Sequence, residues 1–135
     1  MSALQSYLSP IAHTLATLFS IVIMFFGVRS MIATRDYLTT FGLPLKDKSN
    51  TPVTVKSNPW VQLAGARNIT FGASIVASQY LGDFRAMGTI FLCGLATSAT
   101  DAYVTWNYGE RKAAWSHING TIFAALLGTY FISIS

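Results

Sequence analysis

Charge is what this sequence has least of. Only 10% of its 135 residues are Asp, Glu, Lys or Arg, against about 25% in an ordinary soluble domain. A chain this short has a large surface for its volume, so it needs more polar cover than average, not less. Nine basic and five acidic residues cannot cover a soluble globule, which excludes most soluble enzymes and any nucleic-acid-binding module. The net charge of +4 reflects scarcity rather than a basic patch. One cysteine, Cys93, excludes an intramolecular disulfide and a Cys-rich metal site. Two distant histidines, His13 and His117, fit no haem or zinc pattern. A Walker-type glycine loop and the GxGxxG pattern are both missing. No metal and no cofactor is therefore expected, and no repeat or low-complexity segment stands out.

Apolar residues make up 52% of the chain. The expectation is a single domain over residues 1–135, an all-α integral membrane four-helix bundle with the lipid bilayer as its partner. Residues 11–28, IAHTLATLFSIVIMFFGV, hold no Asp, Glu, Lys or Arg. Such a run is near the lower limit for crossing ~30 Å of hydrocarbon at ~1.5 Å per residue. Ser9 can cap it and Pro10 suits its first turn. A signal peptide is the rival reading, but it wants a basic segment in front, and no basic residue precedes Arg29. Met31, Ile32, Leu38 and Phe41 mixed with Arg35 and Asp36 suit an interfacial continuation of the helix. FGLP at 41–44 stops it.

The spacing predicts spans over about 10–30, 59–81, 84–107 and 113–134, with one long polar loop over about 42–58. Asn58-Pro59-Trp60 opens the second span, Gly82-Asp83 turns and caps into the third, and Gly109 closes it. Arg29, Arg35, Lys46, Lys48 and Lys56 follow the first span, and Arg111 and Lys112 follow the third; Arg85 alone stands on the other side. That asymmetry puts both basic loops in the cytosol and both termini on the lumenal or extracellular side. The sequons at Asn68 and Asn119 fall inside spans and read as chance matches.

Helices in lipid gain nothing from burying apolar surface against each other, so small residues and polar contacts must hold a bundle. Gly65, Asn68, Gly72, Ile75 and Gln79 form one such stripe, Gly94, Thr97, Ser98, Asp101 and Thr105 another, and Gly120, Ala124 and Gly128 a third. The expectation is that these three stripes face one another, with the first span more peripheral. The third stripe could equally carry a homo-oligomer.

Arg67 and Asn68 lie about eight residues into the second span, Asp101 about six into the third and His117 about four into the fourth, all roughly 6–12 Å from the cytosolic boundary. Four polar groups on three helices thus share a layer. A lone charge inside a span costs about 2.5–3.5 kcal/mol on insertion scales. Arg67 and Asp101 relieve each other if they pair, and an Asp beside His117 would orient an imidazole suited to proton transfer. Two readings stand. The pair can be a structural clamp, with His117 reaching for water. Alternatively Asp101, His117 and Arg67 are catalytic, with Asn68, Thr97, Ser98 and Gln79 binding substrate. His13, Asp83, Arg85 and Cys93 read as an interfacial group, turn and cap residues, and core packing.

GARN at 65–68, FRAMG at 84–88, Asp101, His117 and the upstream FGLP together resemble a family of small four-span membrane proteins. It is largely fungal, with bacterial relatives, and is described as a domain of unknown function. The resemblance runs from about Gly27 to the C-terminus. It implies a four-helix membrane bundle. Some similar fungal proteins sit among natural-product biosynthesis enzymes, where small membrane cyclases, isomerases and hydrolases use acidic and His residues without a cofactor. The residue after the arginine is often acidic in the family; here it is Asn68, so a role needing a second carboxylate is missing. No motif matches the small four-span anthrone oxygenases.

Two functions remain. The first is a cofactor-free membrane enzyme acting on a lipophilic small-molecule substrate by acid–base chemistry: cyclisation, isomerisation or epoxide opening. The second is a non-catalytic scaffold or assembly subunit, with a small transporter as the lesser branch. The expected location is the endoplasmic reticulum membrane.

Overall fold

Among the described residues, largely apolar runs make four long helices and one short one. The computed structural model describes residues 3–40 and 59–135. They form α1 (Ala3–Ile32), α2 (Thr34–Thr40), α3 (Pro59–Tyr80), α4 (Phe84–Tyr108) and α5 (Arg111–Ile134), with no strand among the described residues. The all-α class holds. The long loop expected at 42–58, with the FGLP stop, Asn58, Lys46, Lys48 and Lys56, lies outside the described residues. Two helices, Leu8–Ile32 and Arg111–Ile134, are long and apolar enough to cross a membrane.

The helix ends differ from expectation in two places. Pro10 does not start α1 but lies inside it, so Ser9 is no cap. A proline near a helix end removes one rung of the hydrogen-bond ladder, and the turn before it stays helical here. The expected continuation past Arg29 is interrupted at Ala33, between α1 and α2. The Ser30 hydroxyl donates to the Gly27 carbonyl at 2.7 Å and the Thr34 hydroxyl to the Ser30 carbonyl at 2.8 Å. Such back-bonding competes with the backbone donors for the same carbonyls and loosens the turn. The α3–α4 turn follows the sequence. Gly82 takes φ +69°, and the Asp83 carboxylate accepts from the Ala86 N–H at 2.8 Å.

Packing departs from the expected arrangement. The closest pairs are α1 with α3 and α4 with α5, while α3 and α4 meet less extensively. The first span is thus not peripheral, and the α3 stripe is spent on α1. A Cβ on Gly27 would stand 2.7 Å from the Gly65 carbonyl oxygen, and one on Gly65 would stand 2.7 Å from that of Gly27. Gly72 lies against the Ser20 backbone and Met24 in the same way. In the second pair a Cβ on Gly88 would stand 2.8 Å from the Gly128 carbonyl oxygen. Gly128 and Ala124 are buried within the chain. Cys93 is exposed rather than core; two residues from buried Phe91, it points about 200° away around the helix.

The two pairs join at the end away from the α1–α2 break. Ala12, Ala16, Ile75, Met87, Phe91, Leu127 and Phe131 form the core there. His13 packs with its ring tilted against Phe84 and Phe131, at 4.7 and 5.1 Å between ring centroids. Phe91 lies parallel to Phe131 at 6.4 Å and edge-on to Phe71 at 6.3 Å.

These contacts separate the glycines by role. Gly65→Val and Gly88→Val force backbones apart and should each lower stability by about 1–3 kcal/mol. A Cβ on Gly120 meets nothing within 4 Å, so Gly120→Ala should leave the melting temperature in detergent unchanged or raised. Equal destabilisation of all three would contradict the packing.

Candidate functional site

Where the helix pairs diverge, a cavity of about 730 Å³ opens, within the usual range of about 300–1,000 Å³ for small-molecule sites. Its floor is the upper surface of the core, where the Phe71 ring lies against Gly94. Phe19, Val22, Ile23 and Phe26 supply an apolar wall from α1. The opposite side carries the polar groups.

The cavity gathers most of the residues singled out in the sequence. Arg67, Asn68, Thr97, Ser98, Asp101 and His117 all line it. Arg67 Nη2 donates to Asp101 Oδ2 at 2.8 Å, joining α3 to α4. Their side chains keep 40% and 32% of their exposure, so the pair faces the open cavity and is not sealed between helices. His117 on α5 lies within electrostatic reach of both partners. Its carbonyl accepts from the Thr121 hydroxyl at 2.8 Å.

Gln79 is the exception. It sits outside the cavity and accepts a hydrogen bond from the Thr17 hydroxyl at 3.2 Å. It shares a helix face with Asn68, but eleven residues at ~1.5 Å each put it roughly 16 Å further along α3. The sequence pattern gave the correct face and the wrong end. It therefore tightens the α1–α3 contact, apart from the residues that line the cavity.

Tyr37 is the residue that sequence reasoning missed. It stands on α2, lines the cavity and interacts electrostatically with Asp101 and Arg67. A usable signal was present. Thr34, Tyr37 and Leu38 fall at i, i+3 and i+4, the spacing of one helix face, and the flanking Arg35, Asp36 and Thr39 are exposed. Burial, and after it the Asp101 carboxylate, push the Tyr37 phenol above its ordinary value of 10.0, while the Arg67 guanidinium pulls the other way.

The site thus presents a guanidinium, a carboxylate, an imidazole and a neutral phenol at one end of an apolar chamber. That set can accept, donate and relay protons and can hold a polar substrate atom. No three His, Cys, Asp or Glu side chains among the described residues are grouped to hold a metal ion. At the rim, Glu110 and Lys112 complete the lining, and the Arg111 guanidinium lies over the Trp106 ring at 5.3 Å.

Residues 20–131 match the family described as "Domain of unknown function (DUF4267)", and the chain belongs to that family. No curated protein and no solved structure matches it.

The raised Tyr37 value has a sign that can be checked. A group whose folded value is raised stabilises fully below its unfolded value and loses that contribution as pH climbs through the folded one. The melting temperature should therefore fall above about pH 10, and Tyr37→Phe should remove part of the fall. Identical pH slopes in the two proteins would contradict a buried phenol.

Proposed function

We propose that this DUF4267 protein is an integral membrane enzyme that acts without a cofactor on a lipophilic metabolite by proton transfer. The observation that carries this reading is the convergence of Arg67, Asp101 and His117, from three helices, at one end of an apolar-walled chamber. Intramembrane ionisable groups are costly and cluster at functional sites.

In this reading all four long helices cross the bilayer. Ile11, Leu18, Ile21 and Phe25 on α1, Leu63 and Val76 on α3 and Leu126 on α5 are exposed, as lipid-facing side chains would be. Trp60, Trp106, Tyr108 and Trp115 are exposed near the helix ends beside the cavity, where an aromatic belt belongs. Arg29, Arg111 and Lys112 lie at that same end; in this reading it faces the cytosol, with both termini across the membrane. The endoplasmic reticulum as the membrane concerned rests on the resemblance to fungal relatives alone.

Chemically, the His117 imidazole takes a proton from a substrate C–H or O–H, or from a water that opens an epoxide, while the Asp101 carboxylate stabilises the imidazolium that forms. The imidazolium then returns that proton to another atom of the substrate, which restores the starting imidazole. Arg67 steadies Asp101 or holds the oxygen on which negative charge develops. One proton leaves and one arrives, so the net result is isomerisation, cyclisation or opening of an epoxide, with no oxidant or reductant needed. A scaffold built on the Gly120–Ala124–Gly128 stripe is less well supported. Ala124 and Gly128 are already used between α4 and α5, and Gly120 faces the cavity.

Two experiments test this reading. For topology, a glycosylation acceptor appended at the C-terminus should be modified and one inserted at 45–55 should not; the reverse pattern refutes the orientation. For chemistry, untargeted mass spectrometry of lipid extracts should compare a deletion strain with strains restored by wild type, Asp101→Asn or His117→Ala. Wild type should restore a lipophilic product whose precursor has the same composition or differs by one water. Loss of an acid–base group should cut its formation about 10²–10⁴-fold. Full restoration by both variants sinks the catalytic reading.

A further inference from the structure

Among the described residues, the charges that line the cavity cancel. Arg67 is paired with Asp101, and at the rim Lys112 stands with Glu110. On α2 the facing group is the neutral Tyr37 phenol, while Arg35 and Asp36 are exposed on the other side of that helix. His117 is an imidazole, neutral in the formal charge count at pH 7. A carboxylate or phosphate placed here would lose its water and find no uncompensated cation among the described lining residues. A hydroxyl or carbonyl suffers no such loss, because Arg67 and Asp101 between them offer donors and acceptor atoms.

The way in is also visible. The α1–α3 and α4–α5 pairs each pack closely, but α1 and α5 do not run together. They meet through ring contacts, His13 with Phe131 and, nearer the cavity, Phe19 with Phe123, 5.4 Å apart. Beyond that contact Val22, half exposed, lines the cavity from α1 and Gly120 lines it from α5. Gly120 is the glycine with open space where its Cβ would point. The gap between these helices faces sideways, into the lipid phase if the helices span a membrane.

From this we propose that the site takes an uncharged, lipid-soluble molecule. Its hydroxyl or carbonyl head lies at the Arg67–Asp101 pair, its apolar body lies along the α1 wall, and it arrives between α1 and α5 past Gly120. The inference rests on reading the cavity as the substrate site and narrows the substrate class.

The test uses two probes with one body and different heads, 1-pyrenebutanol and 1-pyrenebutyrate. Binding is measured at pH 8 by energy transfer from the tryptophans to pyrene, in nanodiscs of phosphatidylcholine with empty nanodiscs subtracted. Wild type should bind the alcohol saturably and at least tenfold more tightly than the carboxylate. Gly120→Phe, checked by its melting temperature, should weaken alcohol binding at least tenfold. Asp101→Asn leaves Arg67 uncompensated and should shift the preference at least tenfold towards the carboxylate. Equal or tighter carboxylate binding by wild type overturns the proposal, as does an unchanged preference in Asp101→Asn. Unchanged alcohol binding in a folded Gly120→Phe overturns the route. The head-group comparison on wild type needs no variant to fold. If Asp101→Asn and His117→Ala keep full product formation in the host while the alcohol preference holds, only the catalytic reading fails.

Discussion

The architecture depends on backbone meeting backbone at glycine. Gly27 against Gly65 and Gly88 against Gly128 bring each helix pair to a separation that no side chain would allow. Because each helix is committed to one close partner, the four do not close symmetrically around a central axis. They form two planks, and the planks are joined at one end by a wedge of phenylalanine rings centred on Phe91 and Phe131. Large side chains fill the wedge, and above it the planks stand apart around the cavity. The cavity follows from that geometry.

Polarity is layered along the same axis. The floor is aromatic, the middle carries the Arg67–Asp101 bridge, and the rim holds Glu110 and Lys112. The bridge fastens α3 to α4 on the side where these helices meet, whereas α1 and α5 on the other side do not run together. A guanidinium and a carboxylate joined in this way resist desolvation together far better than either would alone. An ion pair can therefore stand beside Phe71 and Phe26 without flooding the chamber with charge.

Much of this was legible in the sequence because charge is so scarce. With few ionisable residues to place, Arg67 and Asp101 were the two that could not be assigned to a loop or a helix end, and they do meet. Helix limits marked by Asp83, Gly82 and Pro59 were legible for the same local reasons. The facing of the stripes was not. Small residues announce a close approach but carry no information about the partner, so the α3 glycines could not say that they belonged to α1. Gln79 shared a face with Asn68, and periodicity alone is blind to distance along a helix. Tyr37 was hidden because its role depends on the chain turning at Ala33, where two hydroxyls loosen the helix without any glycine or proline to signal it.

Those hydroxyl habits reach into the cavity itself. Ser98 donates to the Leu95 carbonyl at 3.3 Å and Ser116 to that of Ala113 at 3.0 Å. Their hydrogens are committed to their own helices, so they show a guest only lone pairs. The α4–α5 side is thus rich in acceptors, while the guanidinium on α3 is a donor and α1 offers carbon alone. A chamber with three chemically different walls has handedness. In the enzyme reading proposed above, a prochiral guest would settle in it with one face towards Asp101, and a proton moved there would reach that face and not its mirror image.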